Sequence, residues 1–189
     1  MMTRTKPAEQ RRAELLAAGQ ALFGAKGIAA TSLEDIAQRA GVSKGLFYLY
    51  FHSKEDLVLA LQEQFSYQVA ARMRAAADSQ ADWTAKLDAC AQASFESHRD
   101  LHDLHEVLFH HAAQAGHPAH ALLTRVIQDL LEAGTAAGVF DVADPETTAV
   151  LCYASMHAFD RGFRGRDGPD DVRLIRAARQ LFRRAAGVA

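Results

Sequence analysis

Apolar residues recur along nearly the whole chain at helical rather than strand spacing. From about Ala8 to Ala25, Leu15, Gly19, Leu22 and Phe23 fall at i, i+4, i+7 and i+8, with Arg11, Arg12 and Glu14 off that stripe. Gly27 supplies a stop. "ATSLEDIAQRAG" opens a short second helix. Thr31 with Glu34 three residues later fits a capping box, and Ser32 is an alternative cap. Leu33, Ile36, Ala37 and Ala40 form its buried side before Gly41 ends it. Ser43 caps a third helix, Lys44 to about Tyr50. Ser53 caps a long fourth one to about Ala77, with Glu55 and Asp56 in its first turn and Leu57, Leu61, Phe65 and Val69 as its stripe.

After the break "ADSQAD", a long helix is expected from about Trp83, carrying Leu87, Ala91, Phe95, His98, His102, His105 and Phe109 along one side, either unbroken or divided near Arg99–Leu101. Pro118 and Gly138 bracket the next. Asp144 caps another, with Pro145 at its first position, running to about Gly162. The polar, glycine-rich "RGFRGRDGPDD" leads into a last helix, roughly Asp171 to Ala186. The pattern therefore predicts an all-α chain.

Two of these helices are very short and joined by "GVS", the spacing of a helix-turn-helix. On the second of them Phe47 and Phe51 share one side with Tyr50 nearby, while Gly45, Tyr48 and Leu49 occupy the other. The aromatic run "LFYLYF" thus divides into core anchors and a face left for a partner. Gly45 costs about 1 kcal/mol relative to alanine inside a helix, and the usual return is close approach of another backbone. With Lys44 beside it and a helix N-terminus beneath, a phosphodiester is a natural partner. On spacing alone the alternative is a small helical corner with an unimportant glycine.

Composition narrows the class. The 189 residues are about half hydrophobic and 23% charged, enough for a core, and only four are proline. No apolar run approaches the roughly 20 residues that span a bilayer, and "MMTRTKPAEQ" lacks the apolar stretch of a secretion signal. Cys90 and Cys152 are too few and too far apart for a disulfide scaffold. The expectation is a cytoplasmic protein with no membrane partner. The net charge of −2 hides a mildly basic head: residues 1–60 hold eight Lys/Arg against six Asp/Glu.

Residues 11–57, through "LLAAGQALFGAKGIAATSLEDIAQRAGVSKG" and "FYLYFHSKEDL", resemble the N-terminal domain of the TetR (tetracycline-repressor) family of bacterial transcription regulators. The resemblance implies a three-helix helix-turn-helix DNA-binding domain over residues 1–53 and a helical effector-binding and dimerisation domain over 54–189. It implies that Ser32 and Ser43 cap helices whose amides face phosphates. Lys44, Tyr48 and Lys54 take phosphate-binding positions, Gly45 permits close approach, and Leu46, Leu49 and Tyr50 meet bases or sugar. Family members usually carry a small polar residue in place of Leu46 and often His in place of Tyr50. Arg4 and Lys6 lie in an arm able to reach a minor groove or to stay solvated. The C-terminal helices would enclose a small-molecule pocket, and the last two would pair with a second copy as a four-helix bundle.

Eight of the nine histidines lie between His98 and His157. His98, His102 and His105 share one face of an unbroken helix, with Glu106, His110, His111, His117 and His120 close behind. Such spacing suits zinc, copper, nickel or haem iron. It equally suits a mixed apolar–polar pocket formed with Phe65, Phe95 and Phe109 for an organic effector, or purely structural histidines. No His-Glu-x-x-His, phosphate loop or Gly-x-Ser-x-Gly occurs, so no enzyme and no cofactor are expected. The expected partners are an operator duplex, a small-molecule effector and a second copy of the chain. The expected role is a repressor released by that effector.

Overall fold

The computed structural model describes residues 7–109, 118–162 and 171–188, without the side chains of 118–120, 157–162 and 171. Arg4, Lys6, His110, His111 and His117, and the side chains of His120 and His157, therefore lie outside the described residues. The regular elements are all helices: α1 (Ala8–Lys26), α2 (Leu33–Arg39), α3 (Lys44–Phe47), α4 (Lys54–Asp78), α5 (Trp83–Asp100), α6 (His102–Phe109), α7 (Pro118–Ala136), α8 (Pro145–Gly162) and α9 (Asp171–Ala185).

The described residues form two compact units, one of residues up to 65 with 102–109, the other of 66–101 with α7, α8 and α9. Their division falls within α4, after Phe65. Leu57, Leu61 and Phe65 of α4 bury in the first unit while Val69, Met73 and Ala77 bury in the second. The apolar stripe of α4 continues across both, so periodicity carries no mark of the division.

In the first unit Phe23, Ile36, Phe47 and Leu57 are fully buried, each contributing about 1.5–3 kcal/mol by leaving water. A Cβ on Gly19 of α1 would stand 2.5 Å from Leu57 Cδ2, so this glycine lets α4 pack closely on α1. The capping box of α2 differs from the expected Thr31–Glu34 pair. Ser32 Oγ accepts from the Asp35 N–H at 3.1 Å, and the Asp35 carboxylate accepts from the Ser32 N–H at 2.9 Å. Thr31 is buried, and its hydroxyl donates to the Gly27 carbonyl at 2.7 Å, so it faces inward. Glu34 is thereby left on the surface for another role.

The expected long helix from Trp83 is two helices. Asp82 caps α5 by accepting from the Ala85 N–H at 2.9 Å. Leu101 then leaves helical geometry (φ −107°, ψ 16°) and α6 starts afresh at His102. His98 thus belongs to one helix and one unit, His102 and His105 to another.

In the second unit α7 packs on α8, and α5 packs on both α7 and α9. Leu87, Cys90, Ala91, Ile127, Leu131 and Phe182 line its core. Asp144 caps α8 by accepting from the Thr147 N–H at 3.0 Å. Burial pushes the Cys90 thiol up to about 12 and the Cys152 thiol to about 11. Among the described residues no helix is long and apolar enough to cross a membrane.

Candidate nucleic-acid interface

The turn between α2 and α3 is fixed by backbone bonds. Gly41 adopts φ +66°, its N–H donates to Gln38 O at 3.1 Å, and the Val42 N–H donates to Ala37 O at 2.9 Å. This is a Schellman closure, and only glycine takes that left-handed φ without strain. Ser43 then caps α3, its Oγ accepting from the Leu46 N–H at 3.2 Å.

Helical hydrogen bonding of α3 covers Lys44–Phe47, shorter than the expected run to Tyr50. Beyond it the Leu49 and Tyr50 N–H groups donate to Leu46 O (3.2 Å) and Phe47 O (3.0 Å), a tighter i→i−3 winding. The tightening brings the Phe47 and Phe51 rings together at 5.7 Å in the core while turning the chain toward Ser53. The Asp56 N–H donates to Ser53 Oγ at 3.0 Å, and the Asp56 carboxylate accepts from the His52 N–H at 2.9 Å, starting α4.

What this turn presents outward matches the expected face. Leu49 is 77% exposed and Tyr48 44%, while Leu46 and Tyr50 are half-buried and Phe47 is fully enclosed. Ser32, Ser43, Lys44 and Gly45 are all exposed. A Cβ on Gly45 would meet only Ser43 Oγ, at 3.9 Å. No described residue therefore requires glycine there.

The charged groups are less free than the sequence suggested. The Lys44 ammonium is paired with the Glu34 carboxylate across the turn; that bond raises the lysine's pKa and lowers the carboxyl's. Lys26 holds Asp35 at 2.6 Å, and with the Ser32 amide and hydroxyl depresses its carboxyl to about 2. Lys54 is not an open cation. Its ammonium donates to Ile28 O (2.8 Å) and Thr31 O (3.0 Å), tying the α1–α2 connection to the start of α4. Two of its three N–H donors stitch the fold, which leaves one for the phosphate expected at this position.

Three participants escaped the sequence reading. Glu34 is the counter-ion of Lys44. The Arg12 guanidinium lies 5.3 Å from the Phe51 ring centroid, covering the core anchor. Arg39, at the end of α2, is exposed and unpaired among the described residues.

The expected effector residues divide between the units. In the first, Phe65, His105 and Phe109 form a closed ring cluster, with centroids 5.7 Å (Phe65–His105), 5.6 Å (Phe65–Phe109) and 4.9 Å (His105–Phe109) apart. Gln62 Nε2 donates to Leu108 O at 2.7 Å beside them, and His102 is half-buried. In the second, Phe95 and His98 are buried on α5. The hollows along α1–α6 and along α5–α9 are lined by other residues. Among the described residues no three His, Cys, Asp or Glu are placed to share an ion. The triad His98, His102, His105 presupposed one continuous helix, and the break at Leu101 removes that premise.

Residues 15–61 match the family of bacterial regulatory proteins, tetR family. The chain is 38% identical over 104 residues to the HTH-type transcriptional repressor KstR2 of Mycobacterium tuberculosis, covering 55% of this chain and 52% of that protein. It is 44% identical over 62 residues to the HTH-type transcriptional regulator TtgR of Pseudomonas putida, 32% and 30% of the two chains. The chain thus matches about half the length of KstR2 and less of TtgR. Its fold is shared with the fatty acid degradation regulator FadR of Bacillus halodurans (TM-score 0.70, 20% identity, 95% and 96% covered). It is shared also with a bacterial regulatory protein of the tetR family from Rhodococcus RHA1 (TM-score 0.71, 24% identity, 95% and 98% covered). Residues 15–61 thus belong to the TetR family, a class of helix-turn-helix transcription regulators.

Proposed function

We propose that the chain is a ligand-responsive transcriptional repressor that binds a palindromic operator as a homodimer and releases it when a small molecule binds. The observation that carries this reading is the outward face of α3. Ser43, Lys44, Gly45 and Leu49 are exposed together, and among the described residues the glycine has open space around it and the leucine is not buried. A helix N-terminus with a glycine and a lysine suits phosphate, and the apolar Leu49 suits a thymine methyl. Pairing supports the same reading, because α8 exposes Val150 and Leu151 (65%) and α9 exposes Leu181. Isolated apolar side chains on a surface need no explanation, but three on the terminal helices suit burial against a second copy.

Release by an effector requires that the effector favour one conformation through differential affinity. In the first unit Phe65, His105 and Phe109, with half-buried His102, supply candidate contacts for an organic molecule, and in the second unit Phe95 and His98 do so separately. Catalysis has no place in the reading.

Selection from a random duplex pool tests it. The bound fraction should converge on a palindrome with half-sites about 34–36 Å apart; a pool that stays random after repeated rounds refutes operator recognition. With about three phosphates neutralised per subunit, log Kd against log salt should have a slope of magnitude near 5. Lys44→Ala should weaken binding to every sequence and flatten that slope. An unchanged slope would remove Lys44 from the interface and leave Glu34 as its sole partner.

A further inference from the structure

Along α9, Arg176, Arg179 and Arg183 recur at i, i+3 and i+7 and so line one side of the helix. With Asp88 and Gln92 of α5 they border a hollow of about 460 Å³. The three guanidinium groups are not equally satisfied. Arg183 is neutralised by Asp88, with Nε 2.9 Å from Oδ1 and Nη2 on Oδ2, a two-pronged pair. Among the described residues Arg179 has no carboxylate of its own. Its Nη2 donates to the amide oxygen of Gln92, whose Nε2 donates onward to Glu96 at 2.7 Å, and its Nε is buried without an acceptor. Arg176 is exposed and unpaired among the described residues.

A buried guanidinium N–H without an acceptor is costly, and the planar fork fits the two oxygens of a carboxylate or phosphate. The hollow also has an apolar wall, formed by Val172 and Ile175, and its volume lies within the range of small-molecule sites. We propose that this α5–α9 hollow binds an organic anion, its carboxylate or phosphate head group on Arg179 and Arg176 and its apolar tail along Val172 and Ile175. The site is separate from the DNA-facing turn and does not depend on that reading.

Calorimetric titration of the full chain, in low-salt buffer free of phosphate and carboxylate, tests the assignment. Hexanoate and hexyl phosphate are the probes; hexanol and hexyltrimethylammonium are the controls. The expected result is saturable binding of at least one anion at one site per chain, with the tighter of the two naming the head group. Arg179→Gln and Arg176→Gln should each weaken it by roughly tenfold or more, the value of one charge-assisted hydrogen bond. Circular dichroism checks the fold; if Arg179→Gln loses helix, the exposed Arg176→Gln carries the test alone. Hexanol binding as tightly as hexanoate, unchanged affinity in Arg176→Gln, or no saturable binding of either anion would each overturn the proposal.

Discussion

Replacing Gly45 by alanine should move stability and DNA binding in opposite directions. The added methyl has open space around it, with only Ser43 Oγ at 3.9 Å, and the backbone there is not left-handed. Stability should therefore rise by about 0.4–1 kcal/mol, from the reduced freedom of the unfolded chain and the better helix propensity. For a chain of this size that is roughly 1–4 °C in melting temperature. If the same open space is where a phosphate approaches, the methyl pushes it away. Losing one charge-assisted contact to a backbone amide costs about 1.5–3 kcal/mol per subunit, so a twofold complex loses about 3–6 kcal/mol, roughly two to four decades in Kd. Thermal melting and fluorescence anisotropy on the selected duplex read the two effects separately. A higher melting temperature with unchanged Kd would refute the approach of DNA at Gly45. A lower melting temperature would refute the open surroundings of α3.

Other perturbations probe the scaffold. Phe51→Ala should cost about 3–5 kcal/mol, since the ring is buried against Phe47 and roofed by Arg12; an unaltered urea midpoint would put it outside the core. The Asp35 carboxyl is depressed from 3.8 to about 2 in the folded chain, so its contribution is complete above the unfolded value and lost as pH falls through about 2. The gap in urea midpoint between wild type and Asp35→Asn should accordingly shrink from pH 7 toward pH 2, and a constant gap would contradict the link to Lys26 and Ser32. Leu151→Glu places a charge on the exposed face of α8 and should give a monomer in sedimentation velocity with helical content intact. A persisting dimer would mean that the subunits join elsewhere.

Local signals placed most elements because their causes are local. Ser43, Asp82 and Asp144 each accept from an N–H three residues on, and a sequence shows such spacing directly. The division of "LFYLYF" into buried and exposed members was legible for the same reason, since helical spacing separates Phe47 and Phe51 from Leu49. The end of α5 was legible only from the family resemblance, which breaks near Arg99–Leu101, and not from periodicity. Side-chain periodicity continues from Phe95 and His98 into His105 and Phe109 although the backbone departs from helix at Leu101, and periodicity records faces rather than backbone continuity. The bonds of Lys54 were hidden as well, because its acceptors are carbonyls more than twenty positions earlier. Thr31–Glu34 and Ser32–Asp35 share one three-residue spacing, so spacing alone does not separate the capping carboxylate from the one that meets Lys44 across the turn.

The two buried thiols carry a practical consequence. With Cys90 held near 12 and Cys152 near 11, their thiolate fractions at about pH 7.5 lie roughly two to three orders of magnitude below that of an exposed cysteine. Burial shields them from bulky reagents besides. A single Leu49→Cys substitution therefore creates one site that a maleimide dye or nitroxide should modify selectively, with both native cysteines left in place. Labelled in this way, a dimer would carry one reporter on each recognition turn. The distance between those reporters would then follow half-site spacing as duplex or effector is added, read spectroscopically from the wild-type core.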